Sequence, residues 1–492
     1  FNEEKILEAI QKAVIAVEAE VTVNRVNKIT KEVVKRVEET TPEGRVPTVE
    51  YVQDVVEEVL MLSKLPEVAK AYILYREERS RVRDRDSRLM KTFQEIETDK
   101  KTTSDFLQRR KDFHYENPAR SIISYGREGA KEYNRMFVID PKYTKLHENG
   151  DIYIKEMEYY NSSFNTLQID IEKLFKEGIE KDNTIIKNPE TFNEYILFLS
   201  FVIAKAENDL YGGIQIPNFD FIMAKAVRKN YHKLFVETLL NIEKLFEFVW
   251  DLETLIKDID SQGKTFQIGN HDLDGLLVSK GISEEKLKEI HQMVETKIND
   301  DLFKALHELL LIIKMMPTKN SDGVVNLSIS YGTDTSKEGR LVIKNILKAT
   351  QKGAPGNHLF TAPVQVFKIK EGINYKKNDK NFDLYNLAVE TTAKTMYPNY
   401  LFLDSTPNII EGVDNLEHIS IGSTRNRVIY NTIEYNKSPL SRGSIAETII
   451  NLPRLALVSK KIDVFYKNLK ILLEDVVEQL LERYRGLSNL KA

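Results

Sequence analysis

The side chains that could carry out chemistry are defined first by an omission. None of the 492 residues is cysteine, which removes thiol nucleophiles, thiyl radicals, disulfides and cysteine-ligated metal sites. The eight histidines are His114, His147, His232, His271, His291, His307, His358 and His418. They are scattered along the chain, with no H-E-x-x-H pair and no adjacent ligand spacing, so no metal is expected. The chain also lacks a G-x-S-x-G elbow, a Walker A loop and a G-x-G-x-x-G turn following a strand.

Several dense polar and glycine segments in the second half remain. Ser330-Tyr331-Gly332-Thr333-Asp334-Thr335-Ser336 precedes a helix starting near Lys337. Thr335 or Ser336 can cap it, and Glu338 lies in its first turn. The segment is either an ordinary N-cap or a phosphate or ribose site at a helix N-terminus, where free N–H groups gather. Tyr397–Asp404 reads as a turn and a buried strand, with Asp404 at the carboxyl end where barrel ligand sites collect. Asn451-Leu452-Pro453-Arg454 ends another strand in the same manner. Local structure explains each motif alone about as well as function does.

The elements that must position these residues follow from periodicity. Residues 1–88 form a small helical unit, with Ile6, Ala9, Ile10, Ala13 and Val17, then Val52, Val55, Val56, Val59 and Leu60, at helical spacing. A third helix over 66–83 leads into Arg76, Arg79, Arg81, Arg83 and Arg85. That face is either a solvated charged surface or a phosphate-facing patch. Residues 89–115 read as a linker or connecting helix. Residues 116–492 alternate helices, at 191–209, 223–257, 283–316, 337–351, 382–396 and 460–485, with strand-like runs at 360–369, 400–403, 428–431 and 448–452. This alternation predicts an α/β architecture with a largely parallel sheet or barrel.

A chain of this length is expected to hold two to four domains. At 41% hydrophobic and 30% charged residues the composition is that of a globular protein. The net charge of −4 is small, so neither direct nucleic-acid binding nor a membrane surface is expected. The longest apolar run, around Leu306–Met316, is interrupted by Glu308 and Lys314, and no leader pattern opens the chain. The expected compartment is the cytoplasm.

Taken together, the segments resemble the large subunit of the anaerobic, class III ribonucleoside-triphosphate reductases over nearly the whole chain. The resemblance rests on His147-Glu148-Asn149-Gly150-Asp151-Ile152-Tyr153-Ile154, Tyr211-Gly212-Gly213 and Ile216-Pro217-Asn218-Phe219-Asp220-Phe221. It continues through Tyr331-Gly332-Thr333-Asp334, Glu338-Gly339-Arg340, Val366–Tyr375, Tyr397-Pro398-Asn399, Phe402-Leu403-Asp404 and Ile450–Ala456. Residues 1–88 resemble the ATP-cone, a module that binds ATP or dATP, through Phe1–Ile6, Val49–Asp54 and Ala69–Arg76. The family pattern places Lys5 against a phosphate and Ile6, Val49 and Gln53 near the nucleotide. The Lys-Arg-Asp-Gly-type strand that usually precedes the Phe is not in the chain, which begins at Phe1.

The resemblance implies a ten-stranded α/β barrel of the ribonucleotide reductase and glycyl radical enzyme type, built from two antiparallel halves around a central finger loop. In active members a glycyl radical oxidises a cysteine at the fingertip. The thiyl radical then takes the 3′ hydrogen of the ribose, and water leaves from C2′. Here the fingertip Met-Gly-Cys-Arg-Thr-Arg-Val pattern corresponds to Ile421-Gly422-Ser423-Thr424-Arg425-Asn426-Arg427-Val428, placing Ser423 at the radical position. The second active-site cysteine corresponds to Thr166, ahead of Leu167-Gln168-Ile169-Asp170-Ile171-Glu172-Lys173. Pro317–Gly323 stands where His-Ser-Arg-Ala-Gly-x-Gln is usual, and Gly212-Gly213-Ile214-Gln215 where Gly-Gly-Gln-Ser is usual. The four-cysteine zinc site and glycyl radical loop are expected to be absent, because the sequence ends at Ala492.

The expected protein is therefore a catalytically degenerate reductase homologue that binds ATP or dATP and deoxynucleotides. Asn451, Pro453, Asp404 and Ser330 are its substrate-pocket candidates. It is expected to be a homodimer, and to regulate or pair with an active anaerobic reductase or its activase. Two alternatives remain. One is a genuine reductase seen as a Cys-to-Ser or shortened form, or one supplied with its radical domain in trans. The other is an interaction protein in which nucleotide binding has also decayed.

Overall fold

The structure is a computed structural model that describes residues 3–41, 47–85, 88–98, 118–181, 184–245, 252–318, 325–409, 419–422, 427–428 and 440–489. It divides into two compact units, 1–107 and 108–492.

The first unit contains α1 (Glu3–Ala16), α2 (Val23–Thr40), α3 (Val49–Leu62), α4 (Pro66–Arg85) and α5 (Arg88–Thr98). The apolar residues at helical spacing meet in one core, formed by Ile6, Ile10, Ala13, Val33, Val37, Val52, Val56, Leu60, Val68 and Tyr72 among others. Thr48 starts α3 by accepting the Tyr51 amide at 3.2 Å. Arg76 points to Asp54 and Glu57, at 2.6 and 2.7 Å. At this member of the arginine row the structure therefore shows a partly exposed ion pair, worth roughly 0–1 kcal/mol.

In the second unit, α6 (Pro118–Tyr133) and α7 (Pro141–Glu148) precede β1 (Ile152–Ile154), β2 (Phe164–Gln168), α8 (Ile171–Glu177), β3 (Ile179–Lys181) and β4 (Thr184–Ile186). Then come α9 (Phe192–Asp209), β5 (Leu210–Ile216), α10 (Phe219–Leu245), α11 (Leu252–Ser261), α12 (Asp274–Ser279) and α13 (Glu284–Met315). The chain continues through β6 (Leu327–Tyr331), α14 (Lys337–Lys352), β7 (Val364–Ile369), α15 (Phe382–Thr395) and β8 (Asn399–Phe402). It closes with β9 (Ser420–Ile421), β10 (Arg427–Val428), β11 (Gly443–Ser444), β12 (Thr448–Ile450), α16 (Leu452–Ser459) and α17 (Ile462–Ser488).

The main sheet has the order β11-β2-β5-β6-β7-β8. β2, β5, β6, β7 and β8 are parallel, and β11 is antiparallel at one edge. Parallel neighbours need long crossovers, which the intervening helices supply. Leu167, Ile214, Ile216, Leu327, Ile329, Tyr331, Phe367 and Ile369 face those helices and build the large core with Phe198, Tyr231, Phe235, Leu310 and Ile346. The strand period of two sends Thr166, Gln168, Gln215, Ser328, Ser330, Val366, Lys368 and Leu401 to the opposite face.

The β9–β10 hairpin lies across that second face. The Ser328 hydroxyl donates to the Ile421 carbonyl at 2.6 Å, and Ser330 and Ser420 share a hydroxyl hydrogen bond of 2.8 Å. Beside them Val366, Leu401, Leu403 and Ile419 form a small apolar cluster. The β1–β12 ribbon is covered by α17, whose Leu472 and Val476 join Ile152, Ile154 and Tyr160. From the same helix Arg483, fully buried, donates to the carbonyls of Tyr160 (2.9 Å) and Tyr159 (3.0 Å). Its guanidinium lies 5.0 Å from the ring centres of both Tyr160 and Tyr211. Burial holds its pKa below the usual arginine range.

The α/β architecture and parallel sheet match the expectation. The described strands form one six-stranded sheet and the ribbons β1–β12, β3–β4 and β9–β10. The helix expected over 223–257 begins earlier, at Phe219, and a separate helix occupies Leu252–Ser261. No described helix is long and apolar enough to cross a membrane.

Gly213 sits inside β5 at φ +90°, and a Cβ there would overlap the Asn326 carbonyl at the entry to β6. Gly213→Ala should destabilise the second unit by about 3 kcal/mol or more, read as a lowered urea midpoint.

Candidate functional site

The carboxyl ends of β5, β6 and β7 run into three loops that buried polar side chains tie together. Asp220, in the first turn of α10, is 1% exposed. Its Oδ2 accepts the consecutive amides of Gly332 (2.8 Å), Thr333 (3.0 Å) and Asp334 (3.0 Å). Gly332 allows this turn at φ +126°. Lys368, fully buried near the end of β7, donates to Asn218 Oδ1 at 3.0 Å. The third loop contributes Asn374, whose amide donates to the Gly332 and Lys368 carbonyls at 2.8 Å each. Asn381 donates to the carbonyls of Gly332 (3.2 Å) and Asp334 (2.9 Å). Burial raises the Asp220 pKa, against the lowering effect of the Asp334 and Gly332 amides and of Lys368.

Three concave sites line this edge. A cavity of about 440 Å³ is bordered by Thr333, Asp334, Thr335, Gly372 and Lys380. One of about 310 Å³ is bordered by Asn218, Lys225, Arg228, Asp334 and Ser336, and a third of about 320 Å³ by Asp170, Lys173, Lys176, Pro217 and Asn218. Asp334 and Phe221 are shared by the first two, and Glu172 and Asn218 by the last two, so the sites form a continuous band. Ser336 is the cap of α14, accepting the Gly339 amide at 3.0 Å. Thr333, 3% exposed, has no hydrogen-bond partner for its hydroxyl. In parallel α/β sheets, the carboxyl edge is where ligands bind.

The four substrate-pocket candidates do not converge. Ser330 is buried in β6 against the hairpin, bonded to Ser420. Asp404 follows β8, as expected, but its carboxylate is engaged by the Glu371 amide at 2.7 Å. Asn451 caps α16, accepting the Arg454 amide at 3.1 Å and donating to the Gly150 carbonyl at 3.0 Å, with Pro453 exposed in the same first turn. These two belong to the end of the β1–β12 ribbon. Asn451 thus caps a helix, Asp404 fastens a loop and Ser330 holds the hairpin.

Thr166 is 2% exposed in β2, pairs with Gly213 and Ser444, and accepts the Ser444 amide on its hydroxyl at 3.3 Å. Ser423 lies outside the described residues. Its neighbour Gly422 packs so closely on β5 that a Cβ there would come within 2.5 Å of Gln215 Nε2. Gln215 pairs with Gln168 on β2, two residues from Thr166. The hairpin carrying position 423 and the strand carrying position 166 therefore meet the same polar row, Gln168–Gln215–Ser328.

In the first unit, Lys5 is exposed in the first turn of α1 while Ile6 turns into the core, 7% exposed. Val49 and Gln53 lie one turn apart on α3, exposed and half-buried respectively. Asp220, Lys368, Asn374 and Asn381 were missed as a network, because their spacing carries no motif. The histidines do not all remain scattered either: His271 and His291 converge on Asp274.

Comparison with known proteins places this geometry in context. Residues 113–492 match the family model of anaerobic ribonucleoside-triphosphate reductase, and residues 1–81 that of the ATP cone domain. The chain is 25% identical over 453 residues to the anaerobic ribonucleoside-triphosphate reductase of Haemophilus influenzae, covering 90% of this chain and 56% of that protein. It is 24% identical over 450 residues to the Escherichia coli protein of the same name, covering 90% and 55%. The chain thus spans about half the length of these relatives. Among solved structures, the anaerobic ribonucleotide reductase of Thermotoga maritima in complex with dATP and CTP is similar, with a TM-score of 0.50 at 12% identity. That match covers 78% of this chain and 58% of the other and shows the fold.

Asp220→Ala should cost about 3–5 kcal/mol, because three buried amides lose their common acceptor. Asp220→Asn keeps an acceptor oxygen and should cost less. The native state binds the Asp220 proton more tightly than the unfolded chain does. Wild-type stability relative to Asp220→Asn should therefore be greatest below about pH 4 and fall as pH rises through the native pKa. Urea melts of both proteins across that range check the sign.

Proposed function

The chain belongs to the anaerobic ribonucleoside-triphosphate reductase family and carries an ATP-cone, and from that premise we propose that it is a nucleotide-binding member that has lost the radical reaction. One observation carries the proposal. The scaffold around the fingertip is kept, while both positions that the family fills with cysteine hold hydroxyl residues, Ser423 and Thr166. Hydrogen abstraction from ribose by a radical relay needs a weak S–H bond at the fingertip. A serine O–H bond is far stronger, so a glycyl radical cannot oxidise it usefully. The Thr166 hydroxyl is instead used in holding β11, through the Ser444 amide.

What persists supports binding. The Thermotoga maritima structure is a complex with dATP and CTP, and the corresponding ligands for this chain are ATP or dATP at the cone and deoxynucleotides on the second unit. In the cone, Lys5 supplies the phosphate-facing cation, and Val49 and Gln53 flank the nucleotide. On the second unit the carboxyl edge offers Thr333, the capped start of α14 and the cations Lys225, Arg228 and Lys380. A homodimer, or a pairing with an active reductase or its activase, would let such binding regulate deoxynucleotide synthesis.

Isothermal titration of the full chain with ATP, dATP and the deoxynucleoside triphosphates tests this reading. ATP or dATP should bind, and Lys5→Ala should weaken that binding about tenfold, equivalent to roughly 1.4 kcal/mol. CTP incubated with the chain and a radical-generating activase should give no dCTP. Absence of any nucleotide binding, or measurable turnover, would overturn the proposal.

A further inference from the structure

Away from the carboxyl edge, the chain brings together two histidines and an aspartate separated by sixteen residues of unrelated sequence. Asp274, in the first turn of α12, uses both carboxylate oxygens: His271 Nδ1 lies 2.8 Å from Oδ2, and His291 Nε2 lies 2.9 Å from Oδ1. All three ligand atoms fall within 4.8 Å of one another. We propose that His271, Asp274 and His291 form a binding site for a divalent transition metal, with zinc the best match to this donor set.

The donors suit such an ion. Two neutral imidazoles and one carboxylate leave a fourth position for water, as in open His- and carboxylate-ligated zinc sites. Tetrahedral ligands with bonds of ~2.0–2.1 Å lie about 3.3 Å apart. The Asp274–histidine pairs need to open by only a few tenths of an ångström to admit the ion. His291 is held from behind, its Nδ1 lying 2.7 Å from the Tyr231 hydroxyl and its ring against Phe235 at 4.6 Å between centres. A partner on the distal nitrogen fixes a metal-ligating imidazole in this way. With the ion bound, the His291 proton resides on Nδ1 and is donated to the Tyr231 oxygen, and His271 keeps its proton on Nε2.

His271 is exposed and His291 buried, so the ion would enter from solvent and be anchored from the core. It would clamp the 266–274 segment to α13. That segment also touches the first turn of α14, where Lys337 Nζ donates to the Gly269 carbonyl at 3.0 Å.

The test uses the full chain freed of metal with a chelator, then titrated with Zn²⁺ or Co²⁺. One equivalent should bind, the Co²⁺ form should show tetrahedral absorption, and Zn²⁺ should raise the melting temperature. His271→Ala, at an exposed position, should weaken binding at least about tenfold and remove both signals while leaving the circular dichroism spectrum unchanged. Asp274→Asn should do the same to binding. No stoichiometric binding by the wild-type chain, or binding that His271→Ala leaves intact, would overturn the site.

Discussion

The second unit depends on the satisfaction of one buried carboxylate. Asp220 lies almost wholly out of water, where an ionisable oxygen without donors costs several kcal/mol. Three consecutive amides from the turn after β6 meet its Oδ2 together, and only a left-handed glycine at 332 lets the backbone present them. The carbonyls of that turn then face away and are taken by Asn374 and Asn381 from the loop after β7. Loops separated by more than a hundred residues become one body. The cavities along the carboxyl edge are walled by these same loops.

The opposite face of the sheet poses the same problem differently. Gln168, Gln215, Ser328, Ser330 and Lys368 are all buried there, and a face of this kind is stable only when something polar covers it. The hairpin β9–β10 does so for the serines, through the Ile421 carbonyl and the Ser420 hydroxyl. Farther along the chain, Arg483 is held by backbone carbonyls and two tyrosine rings, and Arg127 pairs with buried Glu158 at 2.9 Å. The interior of this unit is thus specified by polar fit as much as by apolar volume.

Much of this was legible in the residues. The helices over 191–209, 283–316, 337–351, 382–396 and 460–485 follow from apolar spacing, and α14 begins at a cap that Ser336 advertised. The strands β2, β5 and β6 were harder to read. β5 contains Gly212 and Gly213, which break an apolar run, and β2 and β6 alternate apolar residues with Asn165, Thr166, Gln168, Ser328 and Ser330. That alternation normally signals a solvated face, whereas here it faces a hairpin. The network at the carboxyl edge was not legible, because Asp220, Lys368, Asn374 and Asn381 have no spacing rule and meet only after three crossovers form. Asp404 and Asn451 illustrate the reverse: each sits where a ligand group would be expected, and each is occupied by a local hydrogen bond. His271 and His291 are separated by α12 and the turn before α13, so no local motif could join them.

The β9–β10 hairpin is seated by contacts on both of its flanks. The interactions that place the hairpin are made by Ser328, Ser330, Ser420 and Ile421 on one side and by Gly422 against Gln215 on the other. Hydroxyls of β6 thus hold the hairpin on the polar row, and the missing Cβ of Gly422 lets Gln215 approach it. At 166 a hydroxyl has a structural use, since Thr166 accepts the Ser444 amide and helps hold the edge strand. The polar face is therefore fastened by hydroxyls on both β2 and β6, separately from the loops that Asp220 and the two asparagines join along the carboxyl edge.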